Sequence, residues 1–317
     1  MQNSSHLVNA ESTVHVWISS FRFPDAPGLV FRTLVSSCCA LIVGESGRTI
    51  SNAMNSQLPE SDVSHTWGVA FRPTLLFVVA YALNVTPHEI VHALTSYSLG
   101  FNSAVFQMWV NPDSAQASPN QLAIIAVSGT LFSSIVGVVC WLLYQWRFRE
   151  RPSGLAFLMM AMVGIYSFLG PLAGTALGGD LHIAFTFLDI SRTVAYLASA
   201  VGFVLLPCFM YYIGRELVRW SPPEFGRAKA VACTTLAPWL LGTFLLLLLY
   251  WPLPRFLIGS TIGGSAFWLF AVLGAALGFQ ARRPAEIMPS FTRSDLMLTI
   301  AALAMVRLLA NGIRLAH

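Results

Sequence analysis

Residues 67–99 read WGVAFRPTLLFVVAYALNVTPHEIVHALTSYSL, an apolar run that also contains two histidines and a glutamate. The run exceeds the roughly 20 residues that an α-helix needs to cross a bilayer. Ionisable side chains at membrane depth are costly, and for that reason they usually mark a functional site. The segment therefore predicts a membrane helix that carries chemistry in its second half.

The composition of the whole chain is typical of a membrane protein. Hydrophobic residues make up 56% of the 317 residues and charged residues only 10%, whereas ordinary globular domains have about 25% charged residues. The mean hydropathy is +0.66 and the net charge is +4. These values exclude a disordered chain and a basic nucleic-acid-binding protein. Five cysteines without framework spacing exclude a disulfide scaffold. We expect an integral membrane protein in contact with lipid.

Apolar runs predict about eight membrane helices. A short first run at 28–44 follows a polar tail, and a polar loop leads to the segment at 67–99. Further apolar runs lie at 121–145, 154–178, 192–214, 230–252, 260–280 and 296–312. The expected fold class is an all-α polytopic membrane protein with a short β-hairpin or strand after the 67–99 helix.

Basic residues cluster in three loops, at 146–153, 215–229 and 281–293. Because the helices before them end near 145, 214 and 280, all three loops are predicted on the same side of the membrane. The positive-inside rule assigns that side to the cytoplasm.

His88, Glu89 and His92 form the sequence HEIVH, an HExxH pattern. On an α-helix, residues i and i+4 share a face, so both imidazoles can reach one metal ion. Glu89 then lies beside the ion, where its carboxylate can take a proton from water. The alternative is a purely structural role, in which two buried histidines are hydrogen-bonded to their neighbours.

Residues 86–89 (TPHE) also look like the start of a helix. Thr86 would be the N-cap, Pro87 the first helical residue and Glu89 the end of a capping box. We therefore predict a break at 84–86 and a second helix from Pro87. Such a break is tolerated in a membrane where it is buried in protein or lines a cavity.

A catalytic zinc site has three protein ligands and one open position, so a third ligand must come from elsewhere. Asp180, His182 and Asp189 are the candidates, because they lie in or next to apolar runs. We favour Asp180, which ends the glycine-rich run GPLAGTALGGD, and keep His182 as the alternative. Asp189 is assigned to an ion pair with Arg192, three residues further on.

HEIVHA at 88–93 resembles the zinc motif of the site-2 protease (M50) family of intramembrane metalloproteases. LGF at 99–101 and the stretch through Val110 are similar to the membrane-associated hairpin of that family. GTLFS at 129–133 is similar to its GxxxN/S/G motif. Asp180 lies where the family has its zinc-binding aspartate, with GDL in place of LDG. No PDZ or CBS domain is visible.

The resemblance implies hydrolysis of a peptide bond in a membrane-embedded protein substrate. It implies one Zn²⁺ per chain with three ligands: His88, His92 and Asp180. Glu89 is the implied catalytic base. The residues expected to bind the substrate are Phe106, Met108, Gly129 and Ser133.

Phe106 and Met108 are chosen because every second residue from Ala104 to Val110 is apolar, which suggests a strand that pairs with an unwound substrate. Gly129 and Ser133 come from the GxxxN/S/G motif. We divide the chain into a polar N-terminal tail (1–27), a first membrane segment and loop (28–66), a catalytic core (67–190) and additional transmembrane helices (191–317).

Three other classes of function fit the same residues. A membrane zinc hydrolase of a lipid or a small amide would have an identical metal site. A non-catalytic subunit or assembly factor of a membrane complex would keep an inherited zinc site, closed by both Asp180 and His182. A transporter with a proton relay predicts two related halves with discontinuous helices.

Overall fold

The computed structural model describes residues 60–113, 115–251, 255–281 and 293–316. Apart from 255–260, the described residues belong to one compact unit, which contains parts of both the predicted core and the predicted additional helices. The predicted tail at 1–27 and the predicted helix at 28–44 lie outside the described residues.

The described residues are mainly helical, with three short strands. The first elements are α1 (Glu60–Ser98), β1 (Ser103–Val105), β2 (Val110–Pro112), α2 (Pro119–Leu143), α3 (Gly154–Ala173) and α4 (Asp180–Phe187). They are followed by α5 (Arg192–Leu217), α6 (Arg227–Val231), α7 (Ala237–Leu249), α8 (Arg255–Ser265), α9 (Trp268–Gly278), α10 (Arg293–Leu308) and β3 (Ile313–Leu315). A π-helical turn extends α2 to Phe148, and a second one joins α6 to α7.

Six helical segments of the described chain are long and apolar enough to cross a membrane. They are Gly68–Ser98, Pro119–Phe148, Gly154–Ala176, Arg192–Trp220, Arg227–Leu249 and Thr261–Ala281. Each corresponds to one of the apolar runs predicted between residues 67 and 280. The expectation of a mainly helical, multi-pass membrane protein is thus confirmed, whereas the predicted number of about eight spans is not.

α10 occupies the run predicted at 296–312 but is shorter, because the chain leaves the helix at Leu308 and enters β3. Near its start, Asp295 forms a buried ion pair with Arg72 of α1, with 2.7 Å between Oδ2 and Nε. Just beyond its end, Leu309 packs with Ala93 of α1. α10 therefore runs alongside α1 over most of its length.

α1 is the most buried of the six candidate spans, with 61% of its apolar window inside the protein. It packs against α2, α3, α7, α10 and the sheet. The predicted break at 84–86 is wrong, because α1 continues through Pro73 and Pro87. The Thr86 hydroxyl donates to the Gln107 carbonyl at 3.3 Å and so caps no helix. Neighbouring helices make prolines tolerable within a membrane helix.

The three strands form one sheet in the order β2-β1-β3, and both pairs are antiparallel. β1 and β2 are the predicted hairpin, whose turn is closed by a 2.9 Å hydrogen bond from the Phe106 N–H to the Trp109 carbonyl. Phe106 and Met108 thus lie in the turn, and their predicted placement on one continuous strand is wrong. Because β3 pairs with the other edge of β1, β1 has no edge left for a substrate.

Buried charges join the basic loops to the bundle. Glu216 of α5 accepts a 2.7 Å hydrogen bond from Nη2 of Arg149 and a 3.2 Å hydrogen bond from Nη1 of Arg219. Arg219 also pairs with Glu150. These contacts tie the end of α2 to the end of α5. The third predicted basic loop, 281–293, lies outside the described residues except at its two ends.

α2 and α3 touch backbone to backbone at Gly137 and Gly164. A Cβ atom placed on Gly137 would lie 2.5 Å from the backbone nitrogen of Ile165. Small residues at such crossings allow membrane helices to pack closely. Glycine at 137 therefore sets the distance between α2 and α3.

We expect Gly137→Ala to destabilise the protein by about 1–3 kcal/mol, because the added methyl group must push α3 away. Thermal unfolding of the detergent-solubilised protein measures this effect. Gly174→Ala is the matched control, since a Cβ atom there meets nothing within 4 Å. Equal unfolding midpoints of Gly137→Ala and Gly174→Ala would contradict the close packing of α2 against α3 at Gly137.

Candidate metal centre

His88 and His92 of α1 and Asp180 of α4 form a group that could hold a metal ion. Oδ2 of Asp180 lies 3.1 Å from Nε2 of His88 and 3.6 Å from Nε2 of His92. The two Nε2 atoms are 3.0 Å apart. Three potential ligand atoms thus converge from two helices, as the sequence analysis predicted for these three residues.

The glycine pair before α4 brings Asp180 to the histidines. Gly179 has a φ of 98° and Gly178 a φ of 153°, which residues with a side chain rarely adopt. The chain therefore turns sharply after α3 and starts α4 directly at Asp180. His88 and His92 need no special turn to meet, because positions i and i+4 of a helix lie one turn apart.

The second ring nitrogen of each histidine is hydrogen-bonded to α2. Nδ1 of His92 lies 2.6 Å from the Ile125 carbonyl oxygen. Because a carbonyl oxygen only accepts, this Nδ1 carries a proton, and in the neutral imidazole the lone pair that can bind a metal lies on Nε2. Nδ1 of His88 lies 3.0 Å from the Ser133 hydroxyl. In metal sites, a hydrogen bond to the ring nitrogen that does not bind the metal fixes the orientation of the imidazole.

α2 also lies against the potential ligand atoms of the group. A Cβ atom on Gly129 would lie 2.5 Å from Nε2 of His92, so only glycine fits against the histidine pair here. The Thr130 hydroxyl donates to Oδ2 of Asp180 at 3.0 Å. Gly129 and Ser133 were predicted to bind substrate, but the structure places both directly against the histidines.

Glu89 lies next to the group without belonging to it. Its carboxylate is half-buried and interacts electrostatically with His88, His92 and Asp180. Within the described residues it forms no hydrogen bond or ion pair. Because α1 is continuous, Glu89 has no capping role. This carboxylate is therefore available to a water molecule or a ligand at the centre.

Asp180 lies outside the six candidate spans, and its side chain is 30% exposed. Burial raises the pKa of its carboxyl, but hydrogen bonds with His88 and His92 outweigh that effect and hold the pKa well below its ordinary value. Asp180 is therefore a carboxylate, the form that binds metal ions.

The other two candidate ligands lie apart from the group. Nδ1 of His182 is 2.8 Å from the Thr175 carbonyl oxygen, which holds this ring against the end of α3. Asp189 is exposed, and its predicted ion pair with Arg192 is wrong, since the described residues form no such pair. Within the part of the chain that the structure describes, no fourth His, Cys, Asp or Glu joins the three.

Sequence reasoning missed three contributors: Ile125, Thr130 and Ser128, whose hydroxyl oxygen lies 3.3 Å from Nδ1 of His92. Thr130 lies inside the GTLFS motif, so that motif could have suggested it. Ile125 acts through its backbone carbonyl, which leaves no signal in the side chain.

Comparison of the chain with protein-family models, with curated proteins and with solved structures gave no match. The resemblance to site-2 proteases therefore rests on the motifs quoted above. The assignment of a group that could hold a metal ion rests on the geometry of this chain itself.

We expect Ser133→Ala to weaken metal binding about 10–100-fold, because it removes the hydrogen bond that orients His88. Titration of the purified protein with Co²⁺, followed by visible absorption, measures this affinity. Ser134→Ala is the matched control, since the Ser134 hydroxyl bonds back to the Leu131 carbonyl of its own helix. Equal affinities for the two variants would contradict the role assigned to Ser133.

Proposed function

We propose that the chain is an intramembrane zinc metalloprotease, which hydrolyses a peptide bond of a membrane-embedded protein substrate. The convergence of His88, His92 and Asp180 beside Glu89, which forms no hydrogen bond or ion pair within the described residues, carries this proposal. The motifs shared with site-2 proteases support the same conclusion.

The distances within the group are close to those of a tetrahedral zinc site. In a tetrahedral zinc site with bonds of about 2.0–2.2 Å, the ligand atoms lie about 3.3–3.6 Å from one another. The corresponding distances are 3.0, 3.1 and 3.6 Å here, so two of the three pairs would separate by a few tenths of an ångström to admit the ion. Two histidines and one carboxylate also bind ferrous iron, but Glu89 provides the base that a hydrolytic zinc site needs.

In the proposed reaction, the residues of the chain position the metal and move the proton. Zinc held by these ligands supplies Lewis acidity toward a carbonyl group and toward water. The Glu89 carboxylate takes a proton from the attacking water and then gives it to the leaving amine. Ile125, Ser133 and Thr130 fix the three ligands, so little reorganisation is needed when the substrate binds.

The position of the centre supports a substrate within the membrane. His88 lies ten residues before the end of the first candidate span at Ser98, which corresponds to about 15 Å of helix. The partly exposed Asp180 carboxylate leaves one side of the group open to a substrate. A peptide bond that reaches this depth belongs to a membrane-embedded chain.

Strand addition is restricted to the outer edge of β2, because β1 is the central strand. The hydrogen-bonded pairs of the hairpin include Phe106 with Trp109 and Asn102 with Asp113. By alternation, Val110 directs its N–H and carbonyl outward, while Pro112 offers only a carbonyl. We propose that the backbone of an unwound substrate segment forms hydrogen bonds with these outward-facing groups of Val110 and Pro112.

The basic loops follow the second, fourth and sixth candidate spans, and we place them in the cytoplasm. Because successive spans alternate in direction, the metal centre then lies nearer the opposite face. It is built from the end of the first span, the start of the second and the segment after the third.

The alternative of a non-catalytic subunit of a membrane complex called for a closed metal site. Only Asp180 joins the histidines in the described residues, while His182 bonds to Thr175. A three-ligand site keeps a position open, which favours catalysis. A zinc hydrolase of lipids or small amides has the same geometry and differs only in its products.

We expect Glu89→Gln to abolish cleavage while zinc stays bound, because it removes the base but none of the ligands. Mass spectrometry of protein N-termini in cell membranes, with wild type and variant expressed equally, measures this loss. New N-termini within membrane segments should appear with the wild type and disappear with Glu89→Gln.

Glu224→Gln is the matched control, since Glu224 is an exposed residue on the loop before α6. The peptidase proposal is overturned if wild type and Glu89→Gln yield the same N-termini while both contain zinc. Lipid products that depend on Glu89 would instead favour the hydrolase alternative.

A further inference from the structure

A cavity of about 890 Å³ lies between α1, α2, α3 and α10, and none of the metal-centre residues lines it. Its volume falls within the roughly 300–1,000 Å³ of pockets that hold small ligands. Apolar side chains of α1 and α3 form its walls, among them Leu76, Val79, Leu83, Phe157 and Met160. The cavity is therefore suited to a hydrocarbon chain.

Two arginines line one end of this cavity, Arg151 before α3 and Arg293 at the start of α10. Within the described residues, neither guanidinium forms an ion pair or a hydrogen bond. Arg151 lies over the ring of Phe148, with 5.7 Å between the guanidinium carbon and the ring centroid. Both positive charges are therefore available to an anionic ligand.

A buried ion pair lies at the same end of the cavity. Asp295, a lining residue, binds Arg72 of α1, and Nη2 of Arg72 donates to the Pro152 carbonyl at 2.8 Å. Nη1 of Arg72 is buried and has no hydrogen-bond partner. Asp295 is thus neutralised by Arg72, and Arg151 and Arg293 leave this end positively charged.

The helices that line the cavity run inward from the charged end. Along α3 the lining passes from Ser153 to Met160, and along α10 from Arg293 to Leu298. α1 contributes Leu76 to Leu83 beyond Arg72, which corresponds to about 10 Å of helix. A cavity with a cationic end at a helix boundary and an apolar interior has the polarity of a membrane lipid.

We propose that this cavity binds a phospholipid with an anionic headgroup. The headgroup and its phosphate pair with the guanidinium groups of Arg151 and Arg293, which suit bidentate contacts with phosphate oxygens. An acyl chain extends along α1 and α3, over Leu76, Leu83 and Met160. This site is independent of the metal centre, and lipid retention tests it whether or not the chain is a protease.

Native mass spectrometry of the purified protein tests the proposal, in mild non-ionic detergent with equal amounts of phosphatidylglycerol and phosphatidylcholine. We expect one phosphatidylglycerol per chain, preferred about tenfold over phosphatidylcholine. The double variant Arg151→Gln/Arg293→Gln should lose this preference, whereas the exposed Arg227→Gln should keep it.

A second pair of variants tests the apolar part. Ala156→Trp places a large ring in the cavity wall and should reduce retention of both lipids at least fivefold. Ala200→Trp, at an exposed position of α5, is its control and should bind lipid like the wild type. The proposal is overturned if the wild type retains both lipids equally or if the Arg151→Gln/Arg293→Gln variant keeps the wild-type preference. It is also overturned if a protein segment occupies the cavity of the purified protein.

Discussion

The contact between α1 and α2 at Gly129 is the constraint on which the metal centre depends. An added methyl group there would collide with the His92 imidazole, so α2 can lie against the two histidines only because position 129 has no side chain. The same approach brings the Ile125 carbonyl and the Ser133 hydroxyl behind the rings. In an apolar bundle each of these polar atoms needs a partner, and each finds one across this contact.

Much of this arrangement was visible in the sequence. The spacing of His88 and His92 depends only on the helical repeat, and the apolar runs from 67 to 280 agree with the six candidate spans. Asp180 was identified by its glycine-rich context, which does provide the turn before α4. Each of these features depends on residues that lie close together in the chain, so a pattern in the sequence can reveal it.

The features that the sequence did not reveal depend on contacts between distant residues. The TPHE pattern at 86–89 is typical of a helix start, yet α1, which packs against four helices and the sheet, is continuous through it. β3 joins β1 across more than 200 residues, so the hairpin segment alone could not show that β1 is central. Ile125 contributes a backbone carbonyl, which is chemically the same for every residue.

α10 connects the parts of the molecule that hold the candidate metal centre and the proposed lipid-binding cavity. Near its start, Asp295 binds Arg72 at the charged end of the cavity, and beyond its end β3 completes the sheet next to the part of α1 that carries His88 and His92. The metal centre and the cavity are thus built on the same central helix, about two to three turns apart between Leu83 and His92. Their chemistry differs, since the candidate metal centre brings together three ligand atoms, whereas the cavity presents the positive charges of two arginines.

The most direct test of the central claim is the zinc content of the detergent-purified protein, measured by inductively coupled plasma mass spectrometry. Wild type and His182→Ala should each contain about one zinc ion per chain, while His92→Ala and Asp180→Ala should contain almost none. A folded wild-type protein that holds no zinc even after the metal is added back would contradict the account. Retention of zinc by His92→Ala would contradict it as well.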